Sequence, residues 1–204
     1  MKFLKAISVV LLLICCQLNS NAQNITLTCP SNIIIKADAG KEGAFVSFSS
    51  LTIAPQWGIP TYTPASGSFF RLGSSSVTLT TTSGEKCSFT VTVTDNEPPT
   101  LTALSLSTDR LWPANNKMKK VGVYYTASDN AQNVKSVLTV SSNTETVVDD
   151  WEIVNEHLVR LKASRLPDGE PRIYTITVAV TDEAGNKATR ATTIAVSKTM
   201  IALK

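Results

Sequence analysis

Three short runs of oxygen-bearing side chains carry the sharpest chemistry in this chain: Asp95-Asn96-Glu97, Asp129-Asn130 and Asp182-Glu183. Ca²⁺ takes six to eight oxygen ligands, mostly carboxylates and carbonyls. Asp95, Asn96, Glu97, Asp129, Asn130 and Asp182 are therefore candidate calcium ligands, with Asp129-Asn130 and Asp182 the first pairing to test. Each run is short, and Asp and Asn also favour turns by bonding their own backbone, so plain turn chemistry is the alternative. Trp57 lies in a loop and is a candidate stacking platform for a sugar, whereas Trp112 and Trp151 read as core or interface residues. Catalysis would need a nucleophile with its base, paired acids in a cleft, or a metal. The chain has one histidine, His157, on an expected strand, and no nucleophile-elbow pattern. No catalytic residue is assigned, and no cofactor other than calcium is implied.

The elements that must position these residues are strands. Val91 to Thr100, VTVTDNEPPT, ends an alternating run, places Asp95, Asn96 and Glu97 together, and closes on Pro98-Pro99. A double proline removes two backbone donors and fixes φ, so a strand ladder stops there. One β domain is expected before it (residues 23–97) and a second after it (residues 98–204). Alternation predicts strands at Ala44 to Phe48, Ser76 to Thr82 and Lys86 to Thr94 in the first. It predicts Leu101 to Leu106, Lys120 to Ala127, Val134 to Val140, Arg172 to Thr181 and Lys187 to Val196 in the second. Trp151 to Val154 and His157 to Ala163 form an expected hairpin across Asn155-Glu156. Gln56 to Gly67, rich in Pro and Gly, reads as a loop or a broken edge strand. No stretch has convincing helical periodicity.

The long hairpin recurs. Val77 to Gly84 and Val178 to Gly185 have the same length, and an alternating strand follows each glycine. Arg190 falls in register with Phe89, so either the second alternation shifts there or that end of the strand lies outside the core. In this register Val178 to Asp182 matches Val77 to Thr81, so TDEA and TDNE occupy different places. Only TDNE is an interdomain joint.

Residues 1–22 read as a signal peptide. Lys2 and Lys5 precede the apolar run Ile7 to Cys16, and Ser20-Asn21-Ala22 is a small-residue cleavage site. An uncleaved anchor or lipidation at Cys16 are the alternatives. The apolar run is shorter than a membrane span needs, so no span remains after signal removal. Cleavage removes two of the 19 basic residues and none of the 16 acidic ones, leaving a net charge of about +1. With no basic cluster interleaved with aromatics, nucleic-acid binding is not expected. Of four cysteines, Cys29 and Cys87 remain. In an exported chain they most simply form one disulfide, free thiols or an intermolecular bridge being the alternative. A closed loop of about 59 residues contributes roughly 4 kcal/mol in the chain-entropy model.

Cys29-Pro30-Ser31-Asn32, then Ser66-Gly67-Ser68-Phe69, Gly73, and Cys87-Ser88-Phe89-Thr90-Val91-Thr92-Val93-Thr94-Asp95 resemble the hyalin repeat, an extracellular immunoglobulin-like module. The resemblance covers about residues 24 to 98. It implies a Cys29–Cys87 disulfide, a sandwich fold and a role in adhesion or display. Relatives often carry a central Asp/Asn-rich segment with extra cysteines, which Leu51 to Pro60 lacks. Residues 98–204 are similar to immunoglobulin-like modules found in tandem with hyalin repeats in bacterial surface proteins. Leu111-Trp112-Pro113, Ala127-Ser128-Asp129-Asn130 and Thr181-Asp182-Glu183-Ala184-Gly185-Asn186 carry that likeness.

The expected fold is all-β: two tandem immunoglobulin-like antiparallel β-sandwiches. The expected function is non-enzymatic adhesion, display or spacing outside the cell or at its surface, with an extracellular protein or glycan as partner. A carbohydrate- or protein-binding module, stabilised by calcium, is the alternative, and a secreted enzyme or inhibitor is a distant third.

Overall fold

The computed structural model describes residues 27–49, 58–131, 133–144 and 149–198. The expected signal peptide and Trp57 lie outside these residues. Every regular element described is a strand, and among the described residues no helix is long and apolar enough to cross a membrane.

The strands fall into two sets, each closing on its own core. The first comprises β1 (Ile33–Lys36), β2 (Gly43–Val46), β3 (Thr61–Thr63), β4 (Ser68–Arg71), β5 (Gly73–Thr80) and β6 (Lys86–Thr94). One sheet runs β1-β6-β5-β3 and faces the pair β2-β4. β3 is an edge strand that stops at Pro64, which agrees with the broken edge expected from the prolines. The second set comprises β7 (Thr100–Leu101), β8 (Ser105–Leu106), β9 (Arg110–Leu111), β10 (Met118–Tyr124), β11 (Ala127–Ser128), β12 (Val134–Ser142), β13 (Trp151–Asn155), β14 (Leu158–Lys162), β15 (Ile173–Asp182) and β16 (Lys187–Val196). Its two main sheets run β13-β14-β10-β8 and β12-β15-β16-β9, with β11-β7 as a small pair. The fold is two tandem immunoglobulin-like β-sandwiches. Pairing is mostly antiparallel, but β1 runs parallel to β6 and β9 parallel to β16. Each of these short strands joins an edge after a crossover, and neither direction could be read from alternation.

Period-2 alternation puts one face of each strand inside. Val77, Leu79, Phe89, Val91 and Val93 are buried in the first set, and Tyr174, Ile176, Val178 and Val180 in the second. The cores differ in size. Among the described residues, the first cluster holds seven buried apolar residues and the second fifteen. At about 1.5–3 kcal/mol per large buried side chain, the described residues of the first set contribute less to offset chain entropy. There the Cys29–Cys87 disulfide forms, Cα to Cα 5.8 Å, tying the segment before β1 to the start of β6.

The repeated hairpin is confirmed residue by residue. Val77 pairs with Phe89 across β5–β6, and Val178 with Arg190 across β15–β16. Arg190 is exposed although it stands opposite buried Val178, so its side chain lies outside the core, while Ala188 on the same strand still packs against it. The turns use Gly84 (φ 94°) and Gly185 (φ 92°), a region that disfavours side chains. Two expectations change. Leu101 to Leu106 divides into β7 and β8, which pair with different strands. His157 sits in the β13–β14 turn rather than on the strand, since β13 extends through Asn155 and the two-residue turn moves to Glu156 and His157.

Candidate metal centre

β6 ends at Thr94, and Asp95 follows at once. Asp129 comes directly after β11, and Asp182 is the last residue of β15. The three stand at one junction: a carboxylate oxygen from each lies within 4.8 Å of the others. Asp95 belongs to the end of the first strand set, Asp129 and Asp182 to the second. Asp182 is 7% exposed, and the other two are half-buried.

Local hydrogen bonds account for some of the oxygens. Asp95 Oδ1 accepts from the Glu97 amide at 3.0 Å, and Asp129 Oδ2 from the Ala131 amide at 2.8 Å. Asp182 Oδ1 accepts from the Asn186 amide at 2.8 Å and Oδ2 from the Asn186 side chain at 2.9 Å. Asp95 Oδ2 is buried with no hydrogen-bond partner, as is Asn130 Oδ1. No ion pair among the described residues involves Asp95, Asp129 or Asp182. Like charges at such separations repel by a few kcal/mol per pair at an effective dielectric of about 20.

The repeat separates turn chemistry from charge. In the first hairpin Thr81 stands where Asp182 stands in the second. Thr81 Oγ1 accepts from the Glu85 amide at 3.0 Å, and the Thr81 amide donates to the Glu85 carbonyl at 2.9 Å. Asp182 and Asn186 make the same two contacts. A neutral hydroxyl therefore suffices for this turn, and the negative charge of Asp182 is surplus to it.

The other candidates do different things. Glu97 presents both carboxylate oxygens to the Gly40 amide, at 2.9 and 3.1 Å. Asn130 donates to the Lys41 carbonyl at 2.9 Å. Both therefore hold the β1–β2 turn, one from the linker and one from the second strand set. Asn96 is exposed, and Glu183 accepts from Asn133 at 2.8 Å. The seat at Gly40 and Lys41 was missed because backbone groups carry no sequence signal. Outside the junction, exposed His157 stacks on Tyr125 at 4.6 Å with Nδ1 3.1 Å from the Val123 carbonyl. Trp151 packs edge-on against Tyr174 at 6.2 Å. Trp112 is exposed.

The donor set decides which ion fits. It contains carboxylate oxygens and no nitrogen or sulfur, which disfavours zinc and copper. Its span is close to the diameter of a calcium shell, about 4.6–5.2 Å for ligands at 2.3–2.6 Å. The partial exposure of Asp95 and Asp129 leaves room for water to complete the shell.

No protein-family model matches the chain, and no curated protein matches it. Among solved structures, it is similar to immunoglobulin domains 1–4 of Sidekick-1, with 12% identity and a TM-score of 0.44 over 85% of this chain and 48% of that one. It is also similar to extracellular cadherin domains 3–6 of protocadherin gamma B2, with 13% identity and a TM-score of 0.35 over 84% and 47%. The human desmocollin-1 ectodomain gives 13% identity and a TM-score of 0.27 over 86% and 37%. The chain spans about half the length of the first two structures and less of the third.

Proposed function

We propose that this chain is an exported, non-enzymatic adhesion or spacer protein of two β-sandwich modules, with a joint clamped by a calcium ion. The modules are residues 23–97, a hyalin-repeat-like unit, and 98–204, an immunoglobulin-like unit of the bacterial type. Asp95, Asp129 and Asp182 supply the clamp. An ion there ties the end of β6 to the end of β15, a central strand of each main sheet. Glu97 and Asn130 seat the same joint on the β1–β2 turn. The convergence of three aspartates from separate parts of the sequence carries this reading. The surplus charge of Asp182 over Thr81 favours it over plain turn chemistry. The location outside the cell or at its surface rests on the leader and on the Cys29–Cys87 bridge, which suits an oxidising compartment. The partner is an extracellular protein or glycan.

Calorimetric titration of the purified chain with Ca²⁺, with scattering before and after chelation, tests the reading. The expected result is one saturable site, lost in Asp182→Asn and Asp95→Asn, and a narrower shape distribution with Ca²⁺. Absence of heat in the wild-type chain would remove the clamp and leave an uncoupled pair of modules.

A further inference from the structure

We infer that the Cys29–Cys87 bridge makes the first module inextensible under tension and leaves the second as the extensible one. This goes beyond the proposed function and rests on covalent connectivity, so it stands with or without an ion at the joint.

Among the described residues, a pull arriving from the N-terminal side reaches Cys29 before it reaches any strand, because β1 begins at Ile33. At Cys29 the chain offers two routes. One passes through β1 to β5. The other crosses the disulfide to Cys87, the second residue of β6. The covalent short cut carries the load. From Cys87 it runs along β6 to Thr94 and into the linker at Asp95. A strand already rises 3.2–3.4 Å per residue, close to the 3.3–3.6 Å limit of a stretched chain, so β6 has almost no length to give. Tension then acts along β6 alone. It neither peels β5 from β6 nor slides β1 past it, and the module has no route to lengthen by unfolding.

The second module lacks such a bridge. Load enters at β7 and leaves after β16, and near these ends the short parallel ladder Ala195–Arg110 and Val196–Leu111, continued by the Ser197 amide donating to the Leu111 carbonyl at 3.0 Å, joins β9 to β16. Once that ladder gives, the whole module can pay out.

Opening the bridge changes the first module. A dithiol such as dithiothreitol attacks one sulfur, displaces the other as a thiolate, and closes to its own cyclic disulfide. Two electrons and two protons pass to Cys29 and Cys87, leaving two thiols. Both cysteines are half-buried, within reach of a small reductant. The 58-residue separation then joins the load path, adding roughly 200 Å of contour length at about 3.5 Å per residue.

Single-molecule stretching of the full chain between terminal handles tests this. Oxidised protein should show one long unfolding step, from the second module. Dithiothreitol should lengthen the fully stretched chain by roughly 200 Å. Cys29→Ser/Cys87→Ser should show the same gain in oxidising buffer. If that variant does not fold, its stretched length is still longer by that amount, so the comparison survives. Equal stretched lengths in oxidised and reduced protein, or a step of roughly 200 Å from the oxidised first module, would overturn the inference.

Discussion

The second sandwich buries aspartate in two places and treats it in opposite ways. Asp150 is 2% exposed and meets Arg172, itself 7% exposed, through its Oδ2. Lys162 approaches Oδ1 at 3.7 Å. Tyr174 donates to the backbone carbonyls of Lys162 at 2.9 Å and Asp150 at 3.3 Å, closing the group from within. Burial would lower the Arg172 pKa, but its contacts with Tyr174 and Asp150 outweigh that and raise it. Among the described residues the Asp182 side chain, at 7%, accepts hydrogen bonds only from Asn186, and its carboxylate neighbours are Asp95 and Asp129. Where an acid serves the fold alone, the chain supplies its own cation. At the junction it supplies oxygens and no cation. The proposed calcium clamp rests on this difference.

The largest effect should come from breaking the self-sufficient pair. Arg172→Met leaves Asp150 buried without its main partner and should cost about 3–5 kcal/mol in denaturant unfolding, whereas Asp150→Leu with Arg172→Met should recover most of it. Next comes the ion. Calcium at about a hundred times its dissociation constant should stabilise the wild-type chain by about 2.7 kcal/mol, and Arg172 variants should keep that increment. An increment lost in Arg172→Met would merge the two places into one network.

Smaller again is the loss at high pH. Burial raises the Tyr174 pKa above 10.0. Below pH 10 the phenol is neutral in both folded and unfolded chains and nothing changes. Above pH 10 the unfolded chain ionises while the folded one resists, so stability should fall as pH rises. Tyr174→Phe should flatten that part of the pH profile. The smallest effect belongs to the exposed pair Arg160–Glu152 at 2.9 Å. Glu152→Gln should change stability by less than about 1 kcal/mol.

Much of the architecture was legible because alternation is local. The hairpin Val77 to Gly84 and its copy Val178 to Gly185 announced both central strands, and the double proline falls between β6 and β7. The parallel edges β1 and β9 were not legible, since four or two residues carry no sign of direction. The candidate site was half legible. Asp95, Asp129 and Asp182 were singled out by residue type, but their convergence depends on crossovers between distant strands. Glu97 and Asn130 were chosen for their oxygens, yet they bond backbone groups of the β1–β2 turn that no residue type advertises. The Asp150–Arg172 pair escaped notice because Asp149-Asp150 before Trp151 and an Arg after Pro171 look like surface residues until the sandwich closes over Asp150 and Arg172.

The most direct test of the clamp borrows the residue that the first hairpin uses in the same turn. Asp182→Thr keeps an oxygen for the Asn186 amide and deletes the charge. Melting curves of wild type and this variant, each in chelator and in calcium, separate turn from ion. A clamp predicts that the variant melts as high as wild type or higher in chelator, because repulsion is relieved, and gains nothing from calcium while wild type rises. A variant that melts lower in chelator and still rises with calcium as far as wild type would contradict it.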